Sequence, residues 1–166
     1  MANFVTLVSQ LVSSDVFGTL VIDVPGGSKN GGTPVILFQE HDFNPGDNQL
    51  WELRLTGESD GSGHPFVFII NKNSGLALTV PNIPQFDVGA PVFQTTLLQS
   101  DNQKWLQFPP PNQPGLLLFS NKHSAMVLDV KGANSSNGTP IIQNNAILNS
   151  KQLFNDNQLW SLGPGR

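Results

Sequence analysis

The chain has 166 residues, enough for one domain with its own core, and no cysteine, so it can hold neither a disulfide framework nor a thiolate metal site. Eight Lys and Arg against twelve Asp and Glu give a net charge of −4, and the basic residues are scattered, which argues against a nucleic-acid partner. No stretch is apolar for long enough to insert into a membrane.

The first segment, Met1–Phe17, has no Lys or Arg before its apolar stretch and no small-residue cleavage pattern, so it predicts a first strand rather than a leader. With the lack of cysteine, this gives the expectation of a cytoplasmic protein, whose targets can still lie outside the cell. Next comes Leu20–Val24, a strand ending in Asp23-Val24, then the turn Pro25-Gly26-Gly27. Gly32-Thr33-Pro34 leads into the apolar run Val35–Phe38, and Asp47-Asn48-Gln49-Leu50-Trp51 closes the first third. The second third opens on the strand Phe66–Ile70 and continues through Leu76–Val80, Gly89–Val92 and Asp101–Trp105. Leu116–Phe119, Met126–Val130, Gly138–Ile141 and Asp156–Trp160 complete the last third. Thirteen Pro, sixteen Gly and many Asn keep every run short, and none carries a helical period over a dozen residues. The fold class is all-β.

These segments repeat. Asp-Asn-Gln-x-Trp occurs three times, and its tryptophans, Trp51, Trp105 and Trp160, are the only three in the chain. Their interval of about fifty residues marks a repeat architecture. The Gly-x-Pro turn and the strand before it recur in the same order. One domain, 1–166, therefore divides into repeats of approximately 1–57, 58–109 and 110–166, each with four short strands. A single unit has too little apolar surface to stand alone. Three around an axis bury one shared core and leave few sheet edges.

The triplets Gln49-Leu50-Trp51, Gln103-Lys104-Trp105 and Gln158-Leu159-Trp160 resemble those of the ricin B-type β-trefoil lectins, as do the Asp-Val strand end and the Gly-x-Pro turn. The likeness covers the whole chain and implies a β-trefoil with pseudo-three-fold symmetry. The lack of cysteine is closer to the fungal lectins than to disulfide-bonded plant toxin subunits. The resemblance implies shallow sites for terminal galactose or N-acetylgalactosamine and no cofactor. In such a site an Asp accepts from sugar hydroxyls, an aromatic ring covers the apolar C–H face, and the Asn of Asn-Gln-x-Trp completes the clamp. Carried onto the first repeat, these roles fall on Asp23, Phe38, fifteen positions later, Asn48 and Gln49, with Gly26 lending a backbone N–H and His41 on the rim. In the third repeat they fall on Asp129, Gly132, Asn157 and Gln158, and the stacking position holds Asn144, which offers hydrogen bonds but no ring. In the second repeat Thr79 and Thr95 replace the acid and the ring, so that site is expected to be dead.

The tryptophans read as core, and Asn102 as a turn residue bonded to backbone. His64 and His123 read as loop residues, since no histidine has a partner at metal-ligand spacing. No phosphate-loop string or nucleophile motif occurs, and the sparse acids form no recurring pair, so an enzyme is not expected. A rival expectation is a trefoil protease inhibitor, with Asn82–Val88 or Pro109–Pro114 as the inserting loop. Another is an interaction module whose sugar sites have decayed. Agglutination by a lectin with few sites would need a homodimer.

Overall fold

The structure, a computed structural model, describes residues 3–13, 18–41, 45–83 and 87–164. Thirteen strands carry the fold. The first repeat holds β1 (Phe4–Ser9), β2 (Leu20–Asp23), β3 (Thr33–Pro34), β4 (Ile36–Gln39) and β5 (Trp51–Ser59). The second holds β6 (Pro65–Asn71), β7 (Ala77–Thr79), β8 (Phe93–Thr95) and β9 (Trp105–Phe108). The third holds β10 (Leu118–Asn121), β11 (Val127–Val130), β12 (Thr139–Asn144) and β13 (Trp160–Pro164). Counting β3 and β4 as one strand broken at Val35, each repeat has four, as the turn spacing predicts.

Six strands close a ring. β1 pairs β5, β5 pairs β6, β6 pairs β9, β9 pairs β10, and β13 returns to β1. The remaining link is a single bridge, Leu117 to Trp160. Closure leaves the ring without a free edge. The other strands form three hairpins, β2–β4, β7–β8 and β11–β12. These touch one another through Thr33–Gln94, Thr139–Leu37 and the Pro91–Ile142 bridge. All pairings are antiparallel, which suits strands joined by short turns.

One cluster fills the centre. Trp51, Trp105 and Trp160 are fully buried, packed with Leu7, Ile22, Leu37, Ile69, Leu78 and Leu128 among others. Each indole N–H donates to a backbone carbonyl of its own repeat: Trp51 to Ile22 at 3.1 Å, Trp105 to Leu78 at 3.0 Å, Trp160 to Leu128 at 3.4 Å. Truncating such a ring to Ala costs about 3–5 kcal/mol. Each tryptophan thereby ties the start of its fourth strand to its second, and the second is the strand that ends in the candidate acid.

Of the N-terminal segment expected to form the first strand, Phe4–Ser9 does so, running against β13 over five register pairs from Val5–Pro164 to Ser9–Trp160, while residues 1–2 and 14–17 lie outside the described residues. Among the described residues no helix is long and apolar enough to cross a membrane.

Candidate functional site

In the first repeat the local sequence places each side chain. β2 is buried along its whole length, so Asp23, its last residue, ends beneath the surface at 3% exposure. Side chains alternate along β4, and Leu37, fully buried, fixes which face is inward. Phe38 therefore turns outward and is half-buried, not in the core. Opposite lies the 3-10 turn Asp47–Gln49, which delivers Asn48 and Gln49. Pro25–Gly27 forms the facing turn, with Gly26 in the left-handed region at φ 62°, ψ 15°.

These pieces converge on Asp23. Asn48 Nδ2 donates to Asp23 Oδ1 at 3.1 Å and to the Val24 carbonyl at 3.2 Å. Gln49 Nε2 donates to Asp23 Oδ2 at 2.7 Å and to the Gln39 carbonyl at 3.0 Å, while its Oε1 accepts from the His41 backbone N–H at 3.1 Å. Each carboxylate oxygen thus accepts one bond and keeps a lone pair. Burial pushes the Asp23 carboxyl above its ordinary 3.8, against the Gln49 and Asn48 amides and the charge of a protonated His41, which favour the ionised form.

Above the carboxylate lies a cavity of about 440 Å³, lined by Asp23, Pro25, Gly26, Gly27, Ile36, Phe38, His41 and Asn48. The Phe38 and His41 rings stand 6.2 Å apart at 43°. Sequence reasoning missed Gly46. A Cβ there would lie 2.5 Å from Asn48 Oδ1 and 3.4 Å from the His41 ring, so any side chain would displace the amide. The repeats hold the clue, because Ser100 and Asn155 stand at the same place before their turns. In the second repeat Ser100 Oγ donates to Asn102 Oδ1 at 2.6 Å. Gly46 makes no such bond and leaves Asn48 Oδ1 as an acceptor.

The Ricin-type beta-trefoil lectin domain-like model matches residues 47–144. The chain belongs to the ricin-type β-trefoil lectin family. No curated protein matches it in sequence. Among solved structures, the designed three-fold symmetric protein ThreeFoil matches with a TM-score of 0.76 and 29% identity over 96% of this chain and 97% of that one. The Rhizoctonia solani agglutinin matches at 0.71 and 26%, over 99% and 96%. The Macrolepiota procera ricin B-like lectin, solved with lactose, matches at 0.67 and 17%, over 98% and 96%. These likenesses agree with the closed three-fold ring, and the chain is a carbohydrate-binding lectin domain.

Within this lectin domain the three repeats differ. In the third, Gly132 repeats the Gly26 geometry at φ 63°, ψ 19°. Here Asn144 Nδ2 donates to Asp129 Oδ2 at 3.1 Å, and Gln158 Nε2 donates to the same oxygen at 2.8 Å. Asp129 Oδ1 is buried without a hydrogen-bond partner among the described residues. Burial raises the Asp129 carboxyl too, and the Gln158, Asn144 and Asn157 amides pull the other way. The nearby dent, about 560 Å³, runs from Lys131 and Gly132 to Asn137–Pro140, and its lining excludes Asp129, Asn144 and Asn157. Asn144 was expected to bond a sugar; it is turned on its own acid instead.

Gln49 and Gln158 also need correcting. Both are fully buried, so they hold their acids from behind and cannot touch a ligand. In the second repeat Thr79 stands in place of the acid, and its Oγ1 donates to Ala77 O at 2.8 Å and accepts from Gln103 Nε2 at 3.2 Å. Asn102 Nδ2 donates to the Val80 carbonyl at 2.9 Å, the backbone role expected of it. Of the two loops considered for protease inhibition, Asn82–Val88 includes 84–86, which lie outside the described residues. Pro109–Pro114 is tied down by Gln113, which donates to Phe154 O at 3.1 Å and accepts from Phe154 N at 2.9 Å.

Proposed function

We propose that this lectin domain binds terminal galactose or N-acetylgalactosamine in the dent of the first repeat, without catalysis. The observation that carries this is the Asp23 carboxylate, held by Asn48 and Gln49 with a lone pair free on each oxygen, beside the outward ring of Phe38. A galactose offers one apolar C–H face and one edge with an axial hydroxyl. Phe38 covers the face, Asp23 accepts from the hydroxyls, and Asn48 Oδ1 accepts one more. Asp23 is the one acid among the described lining residues, whereas glycoside hydrolysis takes two carboxylates. A dent this open binds weakly, roughly 10⁻³ to 10⁻⁵ M, or about 4 to 7 kcal/mol. Useful strength then comes from multivalency, and a homodimer supplies it when one repeat does the binding.

Calorimetric titration with lactose, beside a column of immobilised galactose, tests the proposal. Asp23→Ala removes the acceptor and weakens binding by roughly 1.5–3 kcal/mol, about ten- to a hundredfold. Circular dichroism should show the fold retained. Unchanged affinity in Asp23→Ala would remove the site from the first repeat, and a wild-type protein that ignores galactose in both assays would refute the sugar class.

A further inference from the structure

The second repeat has lost its own acid and ring, yet its first turn lies against the dent of the first repeat. That turn, Asn71-Lys72-Asn73-Ser74, touches both walls. On one side Asn71 Nδ2 donates to Asn48 O at 3.0 Å, Lys72 N donates to Leu50 O at 2.9 Å, and Asn73 N donates to Asp47 O at 3.2 Å. Lys72 Nζ also pairs with the Asp47 carboxylate at 2.9 Å. On the other side Asn73 Nδ2 donates to the Gly27 carbonyl at 2.8 Å. One short turn therefore brackets the segment that carries Asn48 and the segment that carries Gly26 and Gly27. The second repeat reinforces this from β8. Gln94 Nε2 donates to Ser28 O at 2.9 Å and to Asn30 O at 3.1 Å, and Gln94 O accepts from Gly32 N at 2.7 Å.

The same turn in the other repeats is less well equipped. Lys122 N bonds Lys104 O and Gln10 N bonds Leu159 O, as Lys72 N bonds Leu50 O, so His123 and Leu11 stand where Asn73 does. His123 Nε2 lies 3.4 Å from Ile83 O, a longer contact, on the repeat that has Thr79 in place of the acid. Leu11 has no side-chain donor and packs on the core, so the glycine turn of the third repeat receives no such bond from it. The strongest version of the pin falls on the repeat whose dent opens over its acid.

Resting on the sugar-site reading above, we infer that Asn73 is a positioning residue for the first-repeat site. It fixes the distance between the Gly26–Gly27 wall and the Asn48 wall without touching the ligand. Gly26 and Gly27 both stand in the left-handed region, at φ 62°, and glycine backbone loses the most conformational freedom when it is fixed. Holding it beforehand spares the ligand the ordering of that loop, and preorganisation is read directly as affinity.

The test uses Asn73→Asp, which keeps the shape and the backbone bonds but replaces the donor with an acceptor facing a carbonyl. Asn73→Ala serves as a second variant and Asp23→Asn as the arm that removes the site itself. The readouts are lactose affinity, thermal midpoint, and the heteronuclear NOE of the Gly26, Gly27 and Ser28 amides. Both Asn73 variants should weaken lactose by roughly three- to tenfold. The NOE of those three amides should fall, with those of β2 and the Asp47–Gln49 turn unchanged. Wild-type affinity in both variants overturns the inference, even if the loop loosens. Equal NOE loss throughout the protein also overturns it, because the bond is then merely structural. If wild-type protein ignores lactose, the sugar reading falls and the inference with it, while the NOE still reports whether the pin exists.

Discussion

The first and third repeats share an acid at the end of the second strand, an Asp-Asn-Gln turn and a glycine in the same left-handed geometry, yet they present different chemistry. Around Asp23 the two amides divide their bonds, Asn48 on Oδ1 and Gln49 on Oδ2. Around Asp129 both amides fall on Oδ2, and one comes from Asn144, at the position where the first repeat has Phe38. One substitution on the third strand of a repeat thus does two things. It removes the ring that would cover a sugar face, and it adds an amide donor to Asp129 Oδ2. Each acid accepts two amide bonds, so access separates them: Asp23 lines its cavity, whereas Asp129 is absent from the lining of the third-repeat dent and its Oδ1 is buried.

The comparison is broken most completely by acid. Burial leaves the folded Asp23 carboxyl above its ordinary 3.8, so it takes up its proton at a higher pH than an unfolded chain would. The consequence for stability has a definite sign. The folded state binds more protons through that window, so this group favours folding as pH falls, and the fold does not fail on its account. Binding does the opposite, because a protonated Asp23 loses an acceptor. Lactose affinity measured from neutrality downward should begin to fall at a higher pH than an ordinary aspartate would give, with far-UV circular dichroism unchanged. An affinity that holds until the fold is lost would show that the ionised acid is not the acceptor.

Next in size is Phe38→Ala. It leaves the Asp23 cage intact and removes the covering ring, which makes the first repeat resemble the third in that respect. A drop of about 1–2 kcal/mol, roughly five- to thirtyfold, is expected in lactose affinity by titration. Because Phe38 is half-buried and points outward, the thermal midpoint should move little. A large fall in midpoint with unchanged affinity would place the ring in the packing rather than the site.

The outline of the fold was legible because tryptophans are rare and large: three in phase within Asp-Asn-Gln-x-Trp demanded three equal units around one core. Asp23, Phe38 and Asn48 were picked out through the family resemblance, Phe38 as the residue fifteen positions after Asp23, and the three line one cavity. What stayed hidden was who donates to whom. Gln49 looked like a ligand group because it neighbours Asn48, but it is fully buried and its amide is taken up by Asp23, the Gln39 carbonyl and the His41 backbone N–H. Asn144 looked like a substitute sugar contact, yet nothing in its spacing showed that Asp129 Oδ2 lay within 3.1 Å. The contribution of Asn73 was further out of reach, since it crosses from one repeat to another and bonds a backbone carbonyl.

The smallest expected effect is a gain. Asn144→Phe in the third repeat removes the amide that occupies Asp129 Oδ2 and puts a ring at the stacking position. Gln158 still holds the acid from behind at 2.8 Å. The third repeat would keep two handicaps, Asn155 where the first repeat has Gly46, and Leu11 where the second supplies Asn73. A new site should therefore be weaker than the first, in the millimolar range or about 4 kcal/mol. It should appear as one lactose equivalent in titrations of Asp23→Ala carrying Asn144→Phe, where the first site is already weakened. If that double variant binds nothing, the ring and the lone pair released on Asp129 Oδ2 are not sufficient. The difference between the repeats then lies in the walls, and adding Asn155→Gly would be the step that distinguishes the amide wall from the loop pin.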